Sequence, residues 1–295
     1  MTKVVANNQQ PLLCDVHNHN RFKGTYYLTG FVARIDAKQQ PFWIVTLSDA
    51  SGDLQIYCRD QSCIFGRLLP QSLVNVEAGI ENRGKQPYFR CKFIQLSALE
   101  IGKPKLLSQL PAALCPKPDA LNTLVDLVGS IKEQLLKEFV CNVLLQPNIG
   151  LKFIQCPASI KHHHNYGGGL LEHSVEVAQD FAMHAQHHSE QRDLAITTGL
   201  LHDIGKTQTY TVDGQRTAIG QIIDHDDLTL EICASPLQIL SVSHAGYANQ
   251  LRHAWTCASE GSRYGFKAKT PTARLLKVYD RNSASNDYNE RNSIN

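Results

Sequence analysis

The stretch from His162 to Lys206 constrains this chain most, because it threads imidazoles and carboxylates through two apolar helical repeats. Leu170, His173, Val177, Phe181 and His184 recur at helical spacing, which places His173 on an apolar face. A second run through Leu194, Leu201 and Ile204 carries the adjacent pair His202-Asp203. Gly205 is expected to stop that helix, with Lys206 following at once. Neighbouring helical residues diverge by about 100°, so His202 and Asp203 cannot both bury in one direction. An aspartate on the edge of an apolar helix is costly without a compensating partner, commonly a cation. An imidazole from one helix, an imidazole-carboxylate pair from the next and a later carboxylate at Asp280 therefore make a candidate divalent-metal set. Singly, each of these residues also reads as a core histidine or a turn aspartate; as a set they do not.

Two phrases, Gly168–Ser174 (GGLLEHS) and Leu200–Lys206 (LLHDIGK), resemble the HD-domain metal-dependent phosphohydrolases. With His163-His164 ahead of the glycines and a strand-rich N-terminal part, the whole resembles the YhaM-type 3′→5′ exoribonucleases, an OB-fold joined to an HD domain. The resemblance implies that His173, His202, Asp203 and Asp280 hold the metal, and that the products are nucleoside monophosphates. Two histidines and two aspartates suit Mn²⁺, with Mg²⁺ or Fe²⁺ as alternatives, better than a structural zinc, which more often uses cysteine. Lys206, beginning the loop after the HD helix, is placed to neutralise charge on phosphoryl oxygens. His163, His164 and His244 are candidates for positioning the phosphate or protonating the leaving oxygen.

The chain departs from that family in two places. Gly220-Gln221 stands where the family has Gly-His, and Ser243-His244-Ala245-Gly246 where it has Ser-His-His-Gly. The missing imidazoles suit a second metal or a substrate phosphate. His225, read as lying one helical turn after Gln221, is the candidate substitute ligand.

A length of 295 residues favours two domains. A net charge of +2 means that any nucleic-acid affinity comes from local patches. The nine cysteines are scattered without a C-x-x-C pair and no apolar leader precedes them, which points to free thiols in a reducing, cytoplasmic setting. No run approaches the ~20 apolar residues of a membrane span. Monomer and homo-oligomer are both compatible with the sequence.

Taken in order, residues 1–20 read as an irregular surface arm. Within it Cys14, His17 and His19 suggest zinc spacing but lack a second ligand pair. Residues 21–101 carry five strand-like runs with a break after the third, the order of an OB-fold barrel. Such barrels bind single strands by stacking aromatics and a basic groove. Tyr26, Trp43, Tyr57, Arg59, Arg83, Lys85 and Tyr88 are the candidate contacts, although several of the aromatics could equally fill the barrel.

Residues 102–118, with four prolines, read as a linker. Residues 119–282 form the helical HD domain, Asp119 being read as its N-cap. A small hairpin over Thr207–Ala218 turns at Asp213-Gly214. Helices are expected at 221–234 and 237–242, and Arg252–Phe266 reads as an irregular basic, aromatic loop. Thr270 and Pro271 open the last helix, with Ala273, Leu276 and Asp280 on one face. The tail 283–295 is polar and expected to be disordered.

The fold class is thus multidomain α+β, a five-stranded OB barrel followed by an all-α HD domain with a hairpin. The function expected is a metal-dependent 3′→5′ exonuclease on single-stranded RNA or DNA. Three rivals stand beside it: an HD phosphohydrolase of free nucleotides, a decayed single-strand-binding protein, and a relaxase-related DNA-processing domain.

Overall fold

A computed structural model of the chain describes residues 10–69, 71–83, 86–97, 107–146, 148–185, 189–258 and 261–293. It divides into two compact units, one ending at Ala113 and the other beginning at Leu114.

The first unit is a closed, OB-like barrel. Strand β1 (Arg21–Ile35) pairs antiparallel with both β2 (Pro41–Asp49) and β5 (Ser72–Arg83), and β2 pairs with β3 (Gly52–Cys58). β5 pairs with β6 (Gln86–Leu96), and a parallel β3–β6 contact at Ile56↔Phe89 and Tyr57↔Arg90 closes the barrel. The two-residue β4 (Ile64–Phe65) lies parallel to β6, so the break after β3 is bridged by a short 3-10 turn and this fragment. β1 serves two partners because its register shifts between Leu28 and Gly30, a bulge that bends the strand. Alternating apolar residues fill the interior, Tyr26, Leu28, Val45, Leu47, Ile56 and Ile94 among them.

Of the expected surface arm, residues 1–9 lie outside the described residues, and residues 13–18 pack into the barrel instead. Leu13–Asn18 winds into a 3-10 turn that puts Leu13 and Val16 into the barrel core. Asp49, fully buried, accepts the Leu13 amide at 2.8 Å and the Ser51 amide at 2.8 Å, which fixes that plug and the β2–β3 turn together. The sequence hid this because two isolated apolar residues give no period. The expected linker is likewise structured in part: Leu107 and Leu110 are buried, and the Ser108 carbonyl accepts the Ala50 amide at 2.8 Å.

The second unit is helical: α1 (Pro118–Gly129), α2 (Gln134–Leu144), α3 (Ile149–Gln155), α4 (Gly169–His184), α5 (Ser189–Leu201), α6 (Lys206–Thr209), α7 (His225–Ser243), α8 (Ala245–Thr256) and α9 (Pro271–Ser293). α1 begins with Pro118 at its first position and Lys117 as cap, two residues ahead of the Asp119 expected as cap. Asp193 of α5, almost fully buried, accepts the amides of Lys132 and Glu133 at 2.8 Å each, which ties the start of α2 to α5. α4 packs against both α5 and α9.

Four further expectations change. The hairpin reduces to one antiparallel bridge, Tyr210↔Arg216, because residues 206–209 take a helical turn instead of extending. The two helices expected over 221–242 are one helix, α7, begun only at His225 and carrying Pro236 in its interior. Arg252–Thr256 closes helix α8, where Trp255 is buried, donates to the Thr198 carbonyl at 3.2 Å and stacks on Phe139. Finally, the polar tail continues α9 to Ser293, and Ser283 is buried, so its first residue belongs to the core face.

Candidate metal centre

Three helical segments converge on one point. His173 projects from α4, His202 and Asp203 occupy the turn directly after α5, and Asp280 lies on α9, their ligand atoms all within 4.8 Å of one another. His173 Nε2 stands 3.2 Å from His202 Nε2, 3.5 Å from Asp203 Oδ2 and 3.2 Å from Asp280 Oδ1. His202 Nε2 is 3.4 Å from Asp203 Oδ2 and 3.5 Å from Asp280 Oδ1. α5 stops at Leu201, three residues before the Ile204 to which the repeat runs, so the backbone turns where the pair sits. That turn lets both side chains face one point.

The turn is held from below. Gly205 packs so closely on the backbone of His225 that a β-carbon there would overlap the His225 carbonyl. Its amide donates to Thr229 Oγ1 at 3.0 Å, and Thr229 Oγ1 donates to the His202 carbonyl at 3.2 Å. Gly169 at the start of α4 is equally constrained, since a β-carbon would strike the His164 carbonyl. These glycines bring the histidine loop and the start of α7 against the site.

The donor set fits a divalent cation by its own chemistry. His202 Nδ1 donates to the Gly199 carbonyl at 2.7 Å, which leaves the Nε2 lone pair facing the centre. Ser283 Oγ donates to Glu176 Oε2 at 2.6 Å and accepts from His173 Nδ1 at 3.0 Å, so His173 Nε2 also presents a lone pair. Such outer partners fix the tautomer and orientation of a metal-binding imidazole. Burial opposes charge on His202, but Asp203 and Asp280 outweigh it and raise its pKa to about 10. Burial likewise opposes charge on Asp280, yet its bonds to His173 and His202 lower it. His173, His202, Asp203 and Asp280 are thus two imidazoles and two carboxylates at van der Waals range, an assembly that a divalent ion would hold together.

Lys206 is buried and opens α6 rather than a loop; its ammonium donates to Asp203 Oδ2 at 2.5 Å. The other oxygen, Asp203 Oδ1, is 3.1 Å from His225 Nε2. His225 therefore reaches the centre, though not along a helix from Gln221. Gln221 ends a separate 3-10 turn and is exposed, and α7 starts at His225 itself. The His163 and His164 rings lie 5.4 and 5.3 Å from that of His173. Burial, reinforced by the charges around His173 and Lys206, lowers the His163 pKa to about 4, so it is neutral at pH 7. His164 adopts a left-handed φ of 49°, and its Nδ1 donates at 2.8 Å to Tyr166 Oη, which donates to Glu172. His164 Nε2 stands 3.3 Å from Glu176 Oε2. His244 is exposed at the α7–α8 junction, accepts the Tyr247 amide and stacks on Tyr247 at 3.8 Å; none of its described contacts reaches the centre.

Sequence reasoning missed Ser283, Glu176, Tyr166 and Glu172. The signal for Ser283 and Glu176 was present in the i, i+3 spacing of Asp280 to Ser283 and of His173 to Glu176. The polar composition of residues 283–295 masked it.

Beside the centre opens a cleft of about 650 Å³, lined by His202, Asp203, His225 and Asp280 and by the cations Lys267, Arg274, Lys277 and Arg281. Lys277 is engaged with the carbonyls of Cys257 and Ala258 at 2.8 and 2.6 Å. Lys267, Arg274 and Arg281 are exposed on the rim.

In the barrel, Tyr26 is fully buried with its hydroxyl on the Pro11 carbonyl at 2.7 Å. It is core and offers no face for a base. Trp43 packs partly buried against the same core. Tyr57 and Tyr88 meet edge to face at 5.5 Å, and the Arg59 guanidinium lies over Phe42 at 4.8 Å and Tyr88 at 5.9 Å. Arg83 is the last residue of β5, and Lys85 lies outside the described residues.

Residues 170–285 match the family model of the HD domain. The 3′-5′ exoribonuclease YhaM of Bacillus licheniformis is 26% identical over 193 residues, covering 61% of this chain and 60% of that protein. The dihydroneopterin 2′,3′-cyclic phosphate phosphodiesterase of Methanocaldococcus jannaschii is 33% identical over 104 residues, 30% of this chain and 42% of that protein. Ribonuclease Y of Pseudothermotoga lettingae is 37% identical over 95 residues, 30% of this chain and 18% of that protein. The chain spans about three-fifths of the length of the YhaM relatives that it matches. The segment holding His173, His202, Asp203 and Asp280 is therefore an HD domain, in a chain similar to the YhaM exoribonucleases over 61% of its length.

Proposed function

We propose that this chain is a metal-dependent phosphodiesterase that trims single-stranded RNA, or single-stranded DNA, from the 3′ end, with Mn²⁺ as its ion. The observation that carries the reading is the convergence of His173, His202, Asp203 and Asp280 beside a cleft rimmed by Lys267, Arg274 and Arg281. Those four residues would hold the ion, which when bound polarises a phosphoryl oxygen and acidifies water. The rim cations bind the phosphodiester oxygens on the approach to the centre. Lys206 and His225 orient the Asp203 carboxylate from its two sides. His163, neutral at pH 7, offers an imidazole that takes or returns a proton at the scissile phosphate. Arg59, Phe42, Tyr57 and Tyr88 give the barrel a cationic, aromatic patch suited to stacking unpaired bases.

5′-Labelled RNA and DNA oligomers incubated with Mn²⁺ test the reading, with the His202→Ala/Asp203→Ala double variant as control. A ladder shortening from the 3′ end, absent in the double variant, is expected. The second reading, hydrolysis of a free nucleotide or a cyclic phosphate, is favoured by one observation: a cleft of about 650 Å³ is the size of a single-nucleotide pocket. Intact oligomers together with hydrolysed nucleoside 2′,3′-cyclic phosphate would establish it and dismiss the first.

A further inference from the structure

Nine cysteines are expected to be unrelated thiols, yet three of them meet. We propose that Cys58, Cys63 and Cys91 form a separate metal site inside the barrel, for a soft, three-coordinate cation with the chemistry of Cu(I). Their sulfurs all lie within 4.8 Å of one another, and the residues are 0%, 6% and 3% exposed. The topology that closes the barrel is also what assembles them. Cys58 ends β3, and the parallel register Ile56↔Phe89, Tyr57↔Arg90 carries it alongside Cys91 of β6. Cys63 is returned to the same place by the 3-10 turn Gln61–Cys63, whose cap Asp60 accepts the Ser62 amide at 2.9 Å.

Other buried thiols in the chain behave differently. Cys115, Cys156 and Cys257 donate to the carbonyls of Ile154, Tyr210 and Ala254, the ordinary fate of a core cysteine. Cys58, Cys63 and Cys91 instead converge on one another within an otherwise apolar core. Three sulfurs, joined by no His, Asp or Glu ligand atom among the described residues, select a soft ion. A structural zinc site almost always completes a tetrahedron with a fourth protein ligand, and among the described residues the cluster offers three. A trigonal ion matches that count. Each thiol that ligates releases its proton to water, so the ion enters as up to three protons leave. The site holds β3, β6 and the intervening turn together at the seam where the barrel closes.

The test uses the full, reduced chain carrying His202→Ala and Asp203→Ala, so that the HD-domain residues do not compete. Cu(I) is titrated without oxygen against a Cu(I) chelator, and Zn²⁺ is titrated in parallel. The expected result is one Cu(I) per chain with a thiolate-to-metal ultraviolet band, weakened at least about tenfold by Cys63→Ser and unaltered by Cys14→Ser. Circular dichroism checks that both variants fold. Should Cys63→Ser fail to fold, thiol alkylation of the unsubstituted chain in urea strong enough to expose the metal-free barrel thiols, mapped by mass, gives the same answer, with Cu(I) protecting Cys58, Cys63 and Cys91 but not the exposed Cys14. Absence of the band, binding indifferent to Cys63→Ser, or alkylation of the three thiols unchanged by Cu(I) would overturn the site. Preference for Zn²⁺ over Cu(I) would overturn its three-coordinate chemistry.

Discussion

Ser283→Ala removes one oxygen, yet the structure gives that oxygen three partners, one of them His164 Nε2 at 3.3 Å. It accepts His173 Nδ1–H at 3.0 Å and passes its own proton to Glu176 at 2.6 Å. Without it, the Nδ1–H of a fully buried imidazole loses its acceptor, a cost of about 1–3 kcal/mol. The ring escapes part of that cost by rotating or changing tautomer, and either response turns the Nε2 lone pair away from His202 and Asp280. Loss of an outer partner of this kind typically weakens metal binding about 10- to 100-fold, or about 1.4–2.7 kcal/mol, which falls inside the range set by the lost hydrogen bond. The assay is calorimetric titration of Mn²⁺ into the wild type, Ser283→Ala and Ser285→Ala. Ser285 Oγ donates only to the Arg281 carbonyl on the exposed side of α9, so its substitution is the neutral control. Circular dichroism checks that Ser283→Ala and Ser285→Ala both fold. A folded Ser283→Ala protein that binds Mn²⁺ as tightly as the wild type would refute the assignment of Ser283 as the residue orienting His173.

Three further outcomes are expected. Lys206→Met leaves a buried Asp203 carboxylate without its ammonium partner and should destabilise the metal-free protein by about 3–5 kcal/mol in urea unfolding, with Mn²⁺ restoring part of the loss. An equal loss with and without Mn²⁺ would mean that the packing of the lysine stem matters and its charge does not. In the metal-free protein the His202 pKa, raised to about 10, lies above the ordinary value of about 6.5. The proton therefore stabilises the metal-free fold fully below that ordinary value, and the contribution is lost as pH rises through 10. Metal must displace this proton, so Mn²⁺ affinity should rise by about tenfold per pH unit and level off near pH 10, and calorimetry in buffers of different ionisation enthalpy should register one proton released. A pH-independent affinity would refute the proton's role. In the barrel, Tyr57→Ala should weaken single-stranded RNA binding by about 1–3 kcal/mol in fluorescence anisotropy. Tyr26→Phe, which loses only an internal hydrogen bond, should leave RNA binding unchanged and cost about 1 kcal/mol of stability.

What the sequence disclosed, and what it withheld, follows the physics of each signal. His173 was legible because Leu170, Val177 and Phe181 repeat around it on a face that α5 and α9 then cover. His202-Asp203 was legible because an adjacent imidazole and carboxylate cannot share one buried direction. The barrel's strand order was legible from alternation, but which aromatics point inward depends on register, and Tyr26 shows that composition alone does not decide it. The N-terminal plug depends on just Leu13 and Val16, two residues without a period. The tail was misread for the opposite reason, since a polar segment whose first serine is buried looks like disorder when the buried partner lies 110 residues away. Truncation separates the two readings. A chain ending at Ser285 keeps the Ser283 hydroxyl and should bind Mn²⁺ like the full chain, with at most frayed helix beyond the last turn. A chain ending at Asn282 loses the hydroxyl together with the helical turn that steadies Asp280, so its Mn²⁺ affinity should fall by more than that of Ser283→Ala. If instead both truncations bind alike, the residues from Ser283 onward contribute nothing to the metal centre, and composition was the better guide than the fold.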